Sequence, residues 1–258
     1  MNVKLLILDW AGTAVDYGCF APVNAFDQAF RAFGVEASME EIRRPMGMLK
    51  IDHIRAMLAM ERIGACWTRV HGRPPADKDA HAIYAVFESK LMESLEQYAL
   101  PKPGVLETVE RLRGMGLTIG STTGYTDAMM EVVAAGAARA GYAPDAWFSP
   151  DAVDGLGRPY PYMIYANMKR FRIRSVDQAV KIGDTVSDIQ EGLNAGLRSL
   201  GVIEGSSVLG LTGEEWKALS AQEQAAAAER ARRTFEEAGA HGVLNRLEEL
   251  PGWLEANC

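Results

Sequence analysis

Two aspartates follow short, largely apolar segments that are typical of buried strands. Asp9 follows the apolar run 5–8, and Asp184 follows segment 179–183. Because parallel strands end at the same edge of an α/β sheet, where ligands bind, we expect the two carboxylates to converge. With the backbone carbonyl of Ala11 they form an all-oxygen donor set of the kind that Mg²⁺ prefers. The sequence therefore predicts a magnesium site made from Asp9, Ala11 and Asp184.

Helix capping is a second interpretation of segment 184–188. Asp184, Thr185 and Ser187 are all good capping residues for the start of a helix. Two strand-end carboxylates on neighbouring strands would repel each other without a cation, which favours the metal site. Asp188 lies one helical turn beyond Asp184, so we predict that it orients a metal-bound water molecule without binding the ion itself.

A lysine at a predicted helix start could form a covalent bond to a carbonyl substrate. Lys50 and His53 fall on one face of predicted helix 50–62, next to an apolar stripe. Burial and the helix dipole would lower the pKa of Lys50 and favour the neutral amine, which can form a Schiff base. Taken alone, Lys50 is more typical of a solvated surface lysine, and the neighbouring methionines, Met46 among them, of core packing.

Two further segments could hold an anion. Segment 121–125 ends a predicted strand with hydroxyls and a glycine turn, and Thr122 and Thr123 can donate hydrogen bonds to a phosphoryl group. By itself such a segment is more typical of an ordinary turn. Arg158 precedes a predicted helix and can bind two phosphoryl oxygens with parallel hydrogen bonds. A surface ion pair is the alternative role for an arginine in a loop.

The predicted elements form an α/β fold, a doubly wound parallel sheet with a helical cap domain inserted after the first strand. We assign residues 1–20 and 101–258 to the core and residues 21–100 to the cap. Predicted cap helices cover residues 23–33, 39–44, 50–62 and 78–95. In the core, strands at 117–121, 179–184 and 197–203 alternate with helices at 127–140, 162–171 and 187–195. Residues 214–238 are predicted to form one long, largely solvated helix.

Composition narrows the class of protein. The chain has 258 residues, of which 48% are hydrophobic and 24% charged, as expected for a globular enzyme. Its net charge of -7 argues against a nucleic-acid partner, and no apolar stretch is long enough to span a membrane. Three distant cysteines argue against a disulfide framework. We expect a cytoplasmic protein that acts on a small molecule.

Together, the motifs resemble the phosphonoacetaldehyde hydrolase (phosphonatase) family of the haloacid dehalogenase superfamily, which has a Rossmann-like core. Phosphatases of that superfamily usually carry a second aspartate, a general acid, where this chain has Ala11, and Lys50 in the cap further separates the two groups. The resemblance covers nearly the whole chain. It rests on Asp9-Trp10-Ala11-Gly12-Thr13, Met46-Gly47 with Lys50, Ser121-Thr122-Thr123-Gly124-Tyr125, Gly157-Arg158-Pro159 and Gly183-Asp184-Thr185-Val186-Ser187-Asp188.

This resemblance implies hydrolysis of the C–P bond of phosphonoacetaldehyde, in 2-aminoethylphosphonate degradation, by a Mg²⁺-dependent homodimer that associates through the cap. It implies that Lys50 forms a Schiff base and that Asp9 forms an aspartyl phosphate. Arg158 and the hydroxyls of Thr122 and Thr123 would hold the phosphoryl oxygens. The remaining predicted substrate-binding or proton-relay residues are Cys19, Met46, Gly47, His53, Gly124 and Tyr125, although a cysteine or tyrosine near a core usually serves packing.

Two alternative functions would explain only some of these residues. A phosphomonoesterase or phosphosugar mutase would need Asp9 and Mg²⁺, but it would also need a general acid where Ala11 stands. A phosphate-binding module without activity would leave Asp9, Asp184 and Lys50 without a purpose.

Overall fold

The central strand of the molecule is buried on both faces, which explains its uninterrupted apolar sequence. In the computed structural model, which describes residues 2–258, strand β1 (Leu5–Leu8) is fully buried. Leu5 and Ile7 pack in one hydrophobic cluster, whereas Leu6 and Leu8 pack in another. Side chains of a strand alternate between faces, so both faces of the sheet are covered, as is typical of parallel sheets.

The sheet is parallel throughout and its order reverses at β1. Its six strands are arranged in the order β3-β2-β1-β4-β5-β6. Leu8 at the end of β1 pairs with Ser121 on one side and with Ile182 on the other. The residues that follow all three strands therefore meet at one edge, at the position where open α/β sheets bind ligands. The other strands are β2 (Thr118–Thr122), β3 (Ala146–Phe148), β4 (Ala179–Gly183), β5 (Arg198–Val202) and β6 (Gly242–Leu244).

Between β1 and β2 the chain is mainly helical, apart from the loop over residues 9–19 and shorter connections. We call α1 to α5 the cap helices, and their apolar interior includes stacked Phe26 and Phe87, whose ring centroids are 4.2 Å apart. The cap helices are α1 (Phe20–Ala32), α2 (Met39–Arg43), α3 (Lys50–Leu58), α4 (Glu61–His71) and α5 (Asp77–Ser94). The remaining helices are α6 (Val105–Gly114), α7 (Asp127–Arg139), α8 (Tyr162–Arg170), α9 (Val186–Asn194), α10 (Gly213–Ala218), α11 (Ala221–Glu237) and α12 (Leu250–Asn257).

The predicted α/β fold, with helices inserted after the first strand, is confirmed, but two predicted helices were drawn too long. The helix predicted over 50–62 ends at Leu58, because Met60 adopts an extended conformation before α4 begins. The single helix predicted over 214–238 is two helices. Ser220 starts the second of them with a capping box, in which its side chain and that of Glu223 each accept a backbone N–H bond.

Short or partly exposed elements escaped the sequence analysis. Strands β3 and β6 contain three residues each, too few to show an alternating pattern. Helices α4, α6 and α12 were not predicted either. Among residues 2–258, no helix combines the length and apolar character needed to cross a bilayer.

Candidate active site

Three buried carboxylates cluster where β1 and β4 end. The Asp9 amide donates to the carbonyl of Ile182 at 3.0 Å, which continues the β1–β4 pairing by one residue. Asp184 immediately follows β4, and Asp188 lies in the first turn of α9. One carboxylate oxygen from each aspartate lies within 4.8 Å of the others. The convergence that the sequence predicted for Asp9 and Asp184 is therefore present.

The surroundings of Asp9 and Asp184 fit a divalent cation. Burial raises the pKa of Asp184 well above its usual value, and the nearby charge of Asp9 raises it further. Burial also raises the pKa of Asp9, although the charge of Arg158 works in the opposite direction. Ionising both groups in this buried site is costly without added positive charge, and their oxygen atoms are ligands that Mg²⁺ accepts.

Asp184 is held in place by two neighbouring loops. Its Oδ1 accepts a hydrogen bond from the Thr13 hydroxyl at 3.1 Å, and its Oδ2 accepts one from the Ser207 amide at 2.7 Å. Gly12 packs so closely against this carboxylate that a methyl group at position 12 would overlap it. Thr13 and Ser207 therefore fix the carboxylate direction, a role that the sequence analysis did not assign to either residue.

Asp188 belongs to a buried ion network behind the strand ends. Its carboxylate lies 2.8 Å from the Lys181 ammonium and 3.0 Å from the Arg158 guanidinium, and it accepts a bond from the Thr185 hydroxyl at 2.6 Å. Burial works against ionisation, but the charges of Arg158 and Lys181 lower the pKa of Asp188 below its usual value. Asp188 is therefore anchored by protein cations in addition to lying near Asp9 and Asp184.

Lys181 and Glu191 complete this network, and sequence reasoning missed both. The Lys181 ammonium donates to the Thr122 hydroxyl at 2.9 Å, and this hydroxyl donates to Glu191 at 2.9 Å. A usable signal existed, because Glu191 follows Asp188 by three residues and both lie on one face of α9. The charged Lys181 inside an otherwise apolar strand was a second signal.

Arg158 connects the network to Asp9. Its Nη2 donates to Asp9 at 2.6 Å and to the Thr122 hydroxyl at 2.9 Å, while its Nε donates to Glu191 at 2.9 Å. The side chain is 1% exposed, so the alternative of a surface ion pair is wrong. The guanidinium is held on two sides and borders the cavity in front of Asp9.

Lys50 reaches the same cavity from the cap. It is the first residue of α3 and is only 4% exposed, so the alternative of a solvated surface lysine is also wrong. Its ammonium lies 5.0 Å from the ring centroid of Tyr125. Burial lowers the pKa of Lys50 and favours the neutral, nucleophilic amine. A potential amine nucleophile and a carboxylate nucleophile thus face one cavity.

The cavity is small, about 20 Å³, and both the cap and the core contribute to its wall. Most of the predicted site residues line it, and Thr185 is a lining residue that was considered only as a helix cap. The full set of lining residues is Asp9, Ala11, Cys19, Met46, Gly47, Lys50, Thr123, Gly124, Tyr125, Arg158 and Thr185.

His53 and Thr122 are predicted site residues that do not line the cavity. The His53 imidazole stacks on Phe26, with 3.8 Å between ring centroids, and is buried in the cap behind Lys50. Burial lowers the pKa of His53 well below its usual value, and the charge of Lys50 lowers it further. Thr122 points into the ion network. The structure therefore places neither side chain where it would touch a ligand in the cavity.

Cys19 and Tyr125 line the cavity as neutral groups. Burial raises the pKa of the Cys19 thiol and of the Tyr125 hydroxyl well above their usual values. Cys19 adopts a left-handed conformation immediately before α1, and the Tyr125 amide donates to the Thr123 hydroxyl at 3.1 Å. Their protonated forms can donate hydrogen bonds to a bound molecule.

Met46 and Gly47 bring the cap against the core. The Ser187 hydroxyl donates to the carbonyl of Met46 at 3.2 Å. Gly47 has a φ of 88°, a conformation that favours glycine, and a methyl group there would overlap the Thr185 hydroxyl. Glycine at this position therefore permits the close approach that brings Lys50 over the strand ends.

Comparison with known proteins agrees with this geometry. The family model described as haloacid dehalogenase-like hydrolase matches residues 3–196, and a related one matches residues 155–249. The chain is 54% identical over 251 residues to a phosphonoacetaldehyde hydrolase from Lysinibacillus sphaericus (strain C3-41), covering 97% of this chain and 93% of that protein. The chain belongs to the phosphonoacetaldehyde hydrolase family. The predicted family is thereby confirmed.

Two further proteins are similar to this chain. A bifunctional phosphonoacetaldehyde hydrolase/aminoethylphosphonate transaminase from Clostridioides difficile (strain 630) is 49% identical over 96% of this chain, which spans 39% of that longer protein. The crystal structure of a phosphonoacetaldehyde hydrolase like protein from Oleispira antarctica has a TM-score of 0.95 and 34% identity, covering 99% of this chain and 92% of that one. This family is a group of hydrolases, so the chain is an enzyme of that class.

Proposed function

We propose that this enzyme hydrolyses the C–P bond of phosphonoacetaldehyde, giving acetaldehyde and phosphate. The observation that carries the proposal is that Lys50 and Asp9 face one cavity in which position 11 offers no acid. Direct cleavage of a C–P bond would expel a carbanion, so the reaction needs an electron acceptor on carbon. A buried lysine amine can create that acceptor.

The first step joins Lys50 to the aldehyde. The neutral amine adds to the carbonyl carbon, and loss of water with uptake of one proton from solvent gives a protonated imine. When the C–P bond breaks, its electron pair moves into the imine and forms a neutral enamine. Since no oxygen leaves, no proton needs to be supplied to a leaving group, which explains why Ala11 is tolerated at the position of the acid.

The second step transfers the phosphoryl group to Asp9. The Asp9 carboxylate attacks phosphorus as the C–P bond breaks, and an aspartyl phosphate results. Arg158 and the donors of the Thr123-Gly124 turn hold the phosphoryl oxygens. We propose that Asp9, Asp184 and the carbonyl of Ala11 bind Mg²⁺, which supplies positive charge against the phosphoryl oxygens when it is bound.

The last steps regenerate the free enzyme. Water attacks the aspartyl phosphate, which releases phosphate and restores the Asp9 carboxylate. The enamine accepts a proton on carbon to become a protonated imine, and a second water molecule hydrolyses it to acetaldehyde and the Lys50 amine with release of one proton. Cys19 and Tyr125 line the cavity in their protonated forms, and we propose that they donate hydrogen bonds to the carbon part of the substrate.

Borohydride trapping tests this mechanism. Reduction in the presence of phosphonoacetaldehyde is expected to inactivate the enzyme and to leave a two-carbon adduct on the peptide that contains Lys50. A phosphomonoesterase, a phosphosugar mutase or a binding protein would keep an unmodified Lys50. Phosphate and acetaldehyde released in equal amounts would support C–P cleavage, and phosphate release from simple phosphate esters at a higher rate would contradict it.

The proposal also covers the location, the oligomeric state and the domain boundaries of the enzyme. We propose that it acts in the cytoplasm on 2-aminoethylphosphonate-derived substrate and that it forms a homodimer through the cap. The dimer is the assembly that the family resemblance implies, and Val70 on α4 and Met92 on α5 are partly exposed apolar side chains on the cap helices. We also propose that the cap domain comprises residues 21–100. Sedimentation analysis that finds only monomers would rule out the dimer.

A further inference from the structure

Arg43, at the end of cap helix α2, forms polar contacts with residues outside the cap helices. Its Nη1 donates to the carbonyl of Gly18 at 2.8 Å and lies 3.3 Å from the carbonyl of Ser207 and 3.4 Å from its hydroxyl. Its guanidinium carbon also lies 4.8 Å from the ring centroid of Phe20. One side chain of the cap is therefore attached to two different loops.

One of the two loops follows β5 in the core, and the other leads from β1 into cap helix α1. Gly18 lies two residues before the start of α1, and its amide donates to the carbonyl of Gly205 at 2.8 Å. Ser207 belongs to the loop after β5 and is the residue whose amide donates to Asp184. Arg43 thus ties α2 to the same loop that fixes the Asp184 carboxylate.

Arg43 is also the last α2 residue before the segment that carries Lys50 into the cavity. Residues 44–49 connect α2 to α3, and Lys50 begins α3. Gly47 fixes the middle of this segment against Thr185, as described above. With Arg43 anchored at its start and Gly47 at its centre, the segment has little freedom, so the position of Lys50 depends on both contacts.

We propose that Arg43 is a positioning residue that holds the cap closed on the core and thereby keeps Lys50 opposite Asp9. This inference rests on the proposed function only in the role given to Lys50.

Acetylation of lysines by a sulfonated succinimidyl ester tests the proposal without using the enzyme's own reaction. Lys50 is only 4% exposed, so in the wild-type enzyme it is expected to react slowly with this bulky reagent. In Arg43→Met, acetylation of Lys50, followed by mass spectrometry of peptides, is expected to be at least tenfold faster. Lys181, buried in β4, is the internal control and is expected to stay unmodified.

Two variants complete the design. Arg44→Met removes the adjacent arginine, which is 67% exposed and pairs with Glu40, and it is expected to leave Lys50 acetylation unchanged. Arg43→Lys keeps a donor toward Gly18 but lacks the planar guanidinium. Its Lys50 acetylation rate is therefore expected to lie between those of the wild type and Arg43→Met. If Arg43→Met does not fold, Arg43→Gln replaces it.

Turnover separates this inference from the proposed function. Arg43→Met is expected to lower kcat more than tenfold while changing KM less than threefold, because closure serves the chemical steps. A folded Arg43 variant with wild-type Lys50 acetylation would overturn the inference, and so would equal acceleration at Lys50 and Lys181, which would indicate general destabilisation. If the enzyme showed no C–P cleavage at all, the acetylation result would still decide whether Arg43 holds the cap.

Discussion

Arg158 donates a hydrogen bond to Asp9 across 2.6 Å while its Nε is bound to Glu191. These protein contacts therefore orient the guanidinium in front of Asp9. Preorganised donors of this kind stabilise the charge that develops during phosphoryl transfer. The contact also keeps the Asp9 carboxylate turned toward the cavity.

Replacing Arg158 with lysine is expected to slow turnover even though the charge is kept. An ammonium group cannot bind Asp9, Thr122 and Glu191 with the fork geometry of a guanidinium, and loss of one preorganised donor typically costs about 10²- to 10³-fold in kcat. Steady-state release of phosphate is the measurement. Arg170→Lys, on the exposed end of α8, is the control and should retain full activity. Full activity in Arg158→Lys would remove Arg158 from the proposed mechanism.

Replacing Lys50 with arginine is expected to abolish acetaldehyde release. A guanidinium keeps the positive charge but cannot form an imine, and removal of a covalent catalyst costs about 10³-fold or more. Coupled reduction of acetaldehyde by an alcohol dehydrogenase measures the loss. Lys78→Arg, an exposed lysine of α5, is the matched control. The imine mechanism is wrong if Lys50→Arg retains wild-type activity.

Substitution of Gly47 by alanine is expected to lower activity by displacing the segment that carries Lys50. The methyl group would overlap Thr185, and the φ of 88° adds backbone strain of about 1 kcal/mol. Gly72→Ala is a matched control, because Gly72 also has a positive φ, 69°, but no atom lies within 4 Å of the added carbon. A comparison of kcat and melting temperature separates the two effects. Equal kcat values for the two variants would contradict this account.

Mg²⁺ is expected to stabilise the folded enzyme through Asp184. A cation present at about 100 times its Kd adds about 2.7 kcal/mol to the free energy of unfolding. We expect the melting temperature to rise with Mg²⁺ in the wild-type enzyme and in Asp177→Asn, which alters an exposed aspartate. In Asp184→Asn the rise should be lost. A Mg²⁺ response that survives in Asp184→Asn would place the ion elsewhere.

The start of cap helix α5 provides a stability test that does not involve catalysis. Asp79 accepts hydrogen bonds from Arg73 at 2.6 and 2.7 Å and from the Ala76 amide at 2.7 Å. The Arg73 side chain, helped by the amide, lowers the pKa of Asp79 to about 2 from 3.8. Asp79→Ala is expected to lower the free energy of unfolding by about 1 kcal/mol, as other helix-cap losses do.

The pH dependence of that loss has a defined sign. Because the folded-state pKa of Asp79 lies below the unfolded value, its contribution is present above about pH 4 and disappears as the pH falls toward 2. Urea unfolding at pH 7 and pH 3 should therefore show a smaller difference between wild type and Asp79→Ala at pH 3. Glu110→Ala, an exposed carboxylate of α6, is the control. A difference that grows in acid would contradict the assignment.

The convergence of Asp9 and Asp184 was predictable because it follows from one rule. Apolar runs that end in a carboxylate mark strand ends, and parallel strands place their ends together. The burial of Lys50 could not be predicted from the sequence, because the amphipathic spacing around it suits both a surface helix and a cap helix that covers a cavity. Only the packing of the cap on the core decides between them.

Contacts between distant parts of the chain were not predictable. Arg43 bonds to Gly18 and Ser207, which are 25 and 164 positions away in the sequence. Lys181 forms ion pairs with Asp188 and Glu191, but these pairs depend on which face of β4 packs against α9. Sequence patterns report the faces of single elements, whereas these pairs depend on how elements are arranged in three dimensions.

Ala11 lines the same cavity as Lys50, and this has a consequence for how such enzymes could evolve. A carboxylate at position 11 would favour the charged ammonium of Lys50 and suppress imine formation. Conversely, an enzyme with neither group would lack both an acid and an electron acceptor. An ester-cleaving enzyme has an acid at position 11 and no lysine at position 50, whereas this chain has Ala11 and Lys50. Changing one position at a time therefore gives a poor catalyst, and we expect strong epistasis between positions 11 and 50.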